Sequence, residues 1–197
     1  MTKIIGITGG IASGKSTVVE EIRRSGYSVI DADAVVHRLQ AKGGKLYQAL
    51  LDWLGEDILR SDGQLDRAKL SQFIFSSPEN QTKSAQLQNK VIRQALAQER
   101  NQLAATEKIF FMDIPLLIEL DYQDWFSEIW LVYLDEDKQL QRLMERNGYS
   151  QDQAVQRIEA QMPLIEKKGY ADVVLDNNGS IEELQQQVQI ALQALHE

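Results

Sequence analysis

Eight residues near the amino end constrain this chain more than any others: Gly9-Gly10-Ile11-Ala12-Ser13-Gly14-Lys15-Ser16. Their spacing, G-x-x-x-x-G-K-[ST], is that of a phosphate-binding loop. Glycines let the backbone turn tightly and aim its N–H groups inward at an anion. Lys15 supplies a positive charge for the terminal phosphates, and the Ser16 hydroxyl can ligate Mg²⁺. The flanks meet the structural requirement of the motif. Lys3 to Thr8 is an apolar run suited to a buried strand, and Thr17 to Arg24 has the pattern of an amphipathic helix that Ser25-Gly26 stops.

This loop needs an α/β sheet around it, and the rest of the chain supplies one. Short strands are expected at 27–31, 108–113, 128–134 and 172–176. Helices are expected between them, two opened by capping boxes at Ser150 and Ser180, and one by Ser77-Pro78. Five strands alternating with helical segments predict a parallel sheet covered on both faces. Residues 44–105 are too long for a simple crossover and read as an inserted helical lobe. Residues 136–168 form a second helical excursion.

Composition narrows the function. The 197 residues, 43% of them hydrophobic, suit one α/β domain with insertions. A net charge of −8 argues against nucleic acid as the main partner. With no cysteine, the sequence excludes disulfides, thiolate metal sites and cysteine nucleophiles. No signal peptide is evident, and no stretch approaches the ~20 apolar residues of a membrane span. A cytoplasmic chain with no membrane partner is therefore the expectation.

In a parallel sheet the ligand crevice lies at the carboxyl ends of the strands. Asp31 and Asp33 close the second strand at that edge. They either face the γ-phosphate of a nucleotide, where a carboxylate can take or orient an acceptor's proton, or Asp33 merely caps the next helix. Asp113 ends an apolar strand, as a second Mg²⁺ element does or as a helix cap does. Pro115-Leu116-Leu117-Ile118-Glu119 follows at the same edge. Arg142 and Arg146 share a helix face, with Arg157 on the next helix. They either neutralise a transferring phosphoryl group from a mobile segment or form a solvated face. His37, His196 and the three tryptophans read as surface or packing residues.

Together these segments resemble the dephospho-coenzyme A kinase family. The resemblance runs through residues 7–17, Val29-Ile30-Asp31-Ala32-Asp33, Ile114-Pro115-Leu116-Leu117-Ile118-Glu119, Gln139 to Arg146, Arg157 to Gln161, and Ala171 to Asn177. It implies a three-layer phosphate-loop kinase core with a five-stranded parallel sheet (1–43, 106–135, 169–197), a helical lobe for the acceptor (44–105) and a helical lid (136–168). The implied reaction is ATP-dependent phosphorylation of the ribose 3′-hydroxyl of dephospho-coenzyme A. Lys15, Asp33 and Arg142 are then the catalytic residues, with Asp33 matching the acid that activates the acceptor hydroxyl. Gly10, Ala12, Ser13, Gly14, Lys15, Ser16, Thr17, Arg142 and Arg146 would hold ATP. Thr8, Asp31, Asp33, Pro115, Leu116 and Glu119 would hold the acceptor, and Ser16 and Asp113 would hold Mg²⁺. One departure is visible: Asn89-Lys90 stands where the family usually carries His-Pro; if that histidine helps hold the acceptor, its contact must differ here. Nothing in the pattern demands more than a monomer. A nucleoside-monophosphate-type kinase shares this architecture and differs in its acceptor. A nucleotide switch without a small acceptor is the reading from another class, and the acid pair and the arginine-bearing excursion speak against it.

Overall fold

A computed structural model describes residues 2–196. Five strands form one all-parallel sheet: β1 (Lys3–Gly9), β2 (Val29–Asp31), β3 (Ile109–Asp113), β4 (Glu128–Tyr133) and β5 (Val173–Asp176), in the spatial order β2-β3-β1-β4-β5. The central strand, β1, leads into residues 9–16. The chain runs from it to β2 and β3 on one side and then crosses to β4 and β5 on the other. Such a reversal opens a crevice at the carboxyl edge of the sheet.

Alternation along the strands divides the core. Ile5, Ile7, Phe111, Trp130, Val132 and Leu175 point to one face. There they meet Val18, Val19 and Ile22 of α1 (Lys15–Arg24), together with Leu184, Val188 and Leu192 from the carboxyl-terminal helix (Ile181–Ala194). Leu131 points the other way and packs with Leu134 and Leu164. Trp130 is fully buried in this core, and the other two tryptophans stack edge-on against Phe73 and Tyr122.

The chain divides into two compact units. One comprises the described residues up to Asp31 and from Leu103 onward, and the other Ala32–Gln102. The second unit is helical: α2 (Ala32–Gln40), α3 (Lys45–Leu54), α4 (Arg67–Ile74) and most of α5 (Pro78–Ala104). It includes α2, whose Leu39 packs on the same small cluster as Leu46, Leu50 and Ile58. Asp33 therefore sits in this unit, exposed in the first turn of α2 and inside the helix, not capping it. Asp66 caps α4 through the Ala68 and Lys69 N–H groups, and Phe75 is the cap at its other end.

In the sheet-bearing unit, α6 (Glu136–Asn147) ends at Gly148 in the left-handed conformation. Ser150 then opens α7 (Gln151–Glu159) with the expected capping box. That helix stops at Glu159, so Gln161 lies on a connecting stretch ahead of the single turn α8 (Leu164–Lys167), for which no sequence signal stood out. Helix α9 (Ile181–Ala194) closes the fold behind the Ser180 capping box.

Candidate functional site

The site is built on the exit from β1. Ala12 has φ 60 and Gly14 has φ 91, both in the left-handed region. Ser13 N donates to the Gly10 carbonyl at 3.1 Å, closing a tight turn. Gly14 is the last residue before α1, whose first turn carries no acidic side chain while Arg23 and Arg24 sit in its last. The positive end of the helix is thus left for an anion. Only glycine fits at 14, because the left-handed backbone is costly for other residues and a Cβ there would collide with the Asn177 amide.

Lys15 Nζ donates to Asp113 Oδ1, and both side chains are largely buried. Parallel register explains the pairing. Asp113 lies opposite Ile7 on one side and opposite Asp31 on the other, so three strand ends converge at one edge. Ser16 is exposed one residue along the helix. A serine hydroxyl, a carboxylate and incoming phosphate oxygens are the hard donor set that Mg²⁺ takes, since it uses few protein ligands alongside substrate phosphates. Among the described residues no group of three or more acids, histidines or cysteines forms a dedicated metal cage.

Behind this edge lies a buried junction. Thr8 is fully buried and its hydroxyl donates to the Pro115 carbonyl at 2.9 Å. Lys167, also fully buried, donates to the same carbonyl at 3.2 Å and to Glu119 Oε1 at 2.9 Å. Glu119 Oε1 further accepts from Met162 N at 3.2 Å, while Oε2 is buried without a partner. An uncompensated ammonium in the interior is costly, so the pair with Glu119 is what permits Lys167 there. The Thr8 hydroxyl and Glu119 Oε1 are thereby engaged within the protein.

The arginines are dispersed. Arg142 Nη2 donates to the Asn177 carbonyl at 3.2 Å, and Asn177 Nδ2 in turn donates to Ser13 O at 2.7 Å, so this arginine buttresses the loop. Arg146 is exposed, and its Nε donates to its neighbour Asn147 at 2.8 Å. Arg157 bonds Gln153 O and lies over the Tyr149 ring. Tyr133, at the end of β4, has its phenol pKa pushed above the ordinary value by burial first and by the hydrogen-bonded Asp135 carboxylate second.

In the helical unit a cleft of about 750 Å³ is lined by His37, Lys42, Arg67, Leu70, Phe75 and Gln88, among others. Phe75 is 70% exposed beside it. Helix α5 runs unbroken through the exposed Asn89-Lys90.

A family profile described as dephospho-CoA kinase (CoaE) matches residues 3–183 of this chain. The chain belongs to the dephospho-CoA kinase family. The dephospho-CoA kinase of Streptococcus agalactiae is 64% identical over 195 residues, spanning 99% of this chain and 100% of that protein. Among solved structures, TT1252 from Thermus thermophilus superposes with a TM-score of 0.81 at 34% identity, covering 98% of both chains. A dephospho-CoA kinase from Campylobacter jejuni gives 0.75 at 25% identity, covering 99% of this chain and 98% of its own. The phosphate-loop kinase core with a five-stranded parallel sheet, expected from the resemblance, is the fold observed. Sequence reasoning missed the supports of this kinase site. Gln139, Gln161 and Asn177 lay inside the matched segments without an assigned role, and Lys167 carried no signal at all, because a lysine reads as surface until its burial is known.

Proposed function

We propose that this chain transfers the γ-phosphoryl group of ATP to the ribose 3′-hydroxyl of dephospho-CoA. The acceptor oxygen forms a bond to the γ-phosphorus, the bond from that phosphorus to the β–γ bridging oxygen breaks, and ADP leaves. Asp33 receives or orients the acceptor proton. Loop N–H groups and the α1 dipole hold the phosphates, while Lys15, kept in place by Asp113, stabilises charge on the transferring group. Ser16 and Asp113 would hold Mg²⁺, which when bound neutralises charge on the β- and γ-oxygens. The observation that carries this reading is the Lys15–Asp113 pair at the foot of the phosphate loop, inside a chain whose family acts as dephospho-CoA kinases.

The helical unit is assigned to the acceptor. Its cleft combines the cations Lys42 and Arg67 with the apolar Leu70 and Phe75, which suits a molecule bearing both phosphates and an uncharged arm. Residues 136–168 act as the lid that excludes water during transfer. Thr8 and Glu119 serve by fixing the Pro115 turn, with Pro115 and Leu116 left to meet the acceptor, and the chain works as a monomer. No helix among the described residues is long and apolar enough to cross a membrane. An acceptor panel tests the assignment. With ATP supplied, ADP formation should be driven by dephospho-CoA and not by AMP, UMP or shikimate. Stimulation by AMP alone would move the chain to the nucleoside-monophosphate kinases.

A further inference from the structure

The phosphate-loop motif leaves its second and third positions open, yet here both are tightly determined by residues far away in the chain. Ile11 N donates to Gln161 Oε1 at 2.8 Å. The Ile11 carbonyl accepts from Gln139 Nε2, also at 2.8 Å. The two bonds act on different peptide groups. The Ile11 N–H belongs to the peptide before its Cα, and the Ile11 carbonyl to the peptide after it. Holding both planes fixes the two backbone dihedrals of Ile11. The next residue, Ala12, is a non-glycine at φ 60, a conformation that persists only where the surroundings over-determine it.

Gly10 carries a matching signature. A Cβ at this position would lie 2.6 Å from Gln139 Nε2, so the motif's free second position must be glycine for Gln139 to reach the loop. Gln139 is itself buried, in the first turn of α6, with its N–H on the Asp135 carbonyl. Gln161 approaches from the other end of the same excursion, on the stretch after α7.

We propose that Gln139 and Gln161 are positioning residues for the phosphoryl donor, each fixing one of the two peptide planes that flank the Cα of Ile11. The inference rests on residues 9–16 being the donor site. Neither glutamine need touch the nucleotide. They hold the loop in its binding shape in advance, so that ordering it does not draw on binding energy. Fixing a residue needs both planes, so losing either amide frees Ile11, and losing the second adds little.

The test is calorimetric titration of ADP, without acceptor, into the full chain and into Gln139→Met, Gln161→Met and the double variant. Methionine keeps side-chain length and removes the amide. Each single variant should weaken ADP about five- to tenfold, the effect of one lost net hydrogen bond. The double variant should fall within about twofold of the weaker single. In steady-state assays KM for ATP should rise while KM for dephospho-CoA stays within about twofold. A double variant weakened by the product of the singles, or single variants with unchanged ADP affinity, would overturn the proposal. If Gln139→Met does not fold, Gln161→Met decides alone through the same split between the two KM values. Because ADP is titrated alone, an error in the acceptor assignment leaves this result intact. Absence of ADP binding by the unaltered chain would remove the donor reading along with this one.

Discussion

The phosphate loop and the helical unit use opposite strategies to prepare for a substrate. The loop is held at several points by distant side chains. Gln139 and Gln161 fix Ile11, Asn177 fixes Ser13, Asp113 fixes Lys15, and Arg142 stands behind Asn177. The helical unit instead packs on a small cluster, Leu46, Leu50 and Ile58, and leaves Phe75 largely in solvent. Helix α5 buries only Ser84 and Leu96 along its described length. A triphosphate is a compact anion that rewards a rigid nest of N–H groups. A long, flexible acceptor rewards a surface that can adjust, and regions with few buried contacts are the ones that open most easily.

Substitutions in the two regions should separate accordingly. Asp33→Asn removes the proposed proton acceptor while keeping shape. Turnover should fall roughly 10²- to 10⁴-fold with ATP affinity little changed, measured in a coupled ADP assay beside nucleotide titration. Equal turnover would take Asp33 out of the mechanism. Lys15→Met should reduce kcat about 10²- to 10³-fold, the usual loss for one preorganised electrostatic contact. A chain that keeps full activity without this ammonium would contradict its role.

Lys167→Met probes the support and not the chemistry. It leaves Glu119 without its cation and should cost about 3 kcal/mol, lowering the thermal midpoint by roughly 10 °C. An unchanged melting curve would show that Glu119 is equally well served by the Met162 N–H and solvent. On the other side of the comparison, Phe75→Ser should leave stability within about 0.5 kcal/mol, since the ring is largely in water. It should raise KM for dephospho-CoA a few-fold and leave KM for ATP alone. A rise in both would mean the two regions are not prepared separately.

Legibility in the sequence followed the same divide. Local rules reach far: strand, glycine loop and helix at residues 3–24, the Ser77-Pro78 helix start, and the capping boxes at Ser150 and Ser180 depend on neighbours in the chain, and all are formed. The register that sets Asp113 opposite Asp31 and beside Lys15 follows from parallel topology, so an acid at a strand end was a fair signal. What local rules cannot reach is a contact made between segments far apart in the chain. Gln139 and Gln161 are polar residues with nothing in their spacing to point at Ile11. Lys167 looks like any surface lysine. Arg142 and Arg146 share a helix face by spacing, yet their partners differ: Arg142 bonds the Asn177 carbonyl behind the loop and Arg146 bonds Asn147. The second unit begins at Ala32, with Leu39 of α2 packed on its core, and no composition change marks that start.

The central claim is that this loop directs the γ-phosphoryl group to an alcohol and keeps it from water. Phosphorus-31 NMR of the purified chain with ATP and dephospho-CoA tests it most directly. A 3′-phosphomonoester resonance should grow one for one with ADP, and little free phosphate should appear. ADP rising with inorganic phosphate, at the same rate whether or not dephospho-CoA is present, would contradict the account.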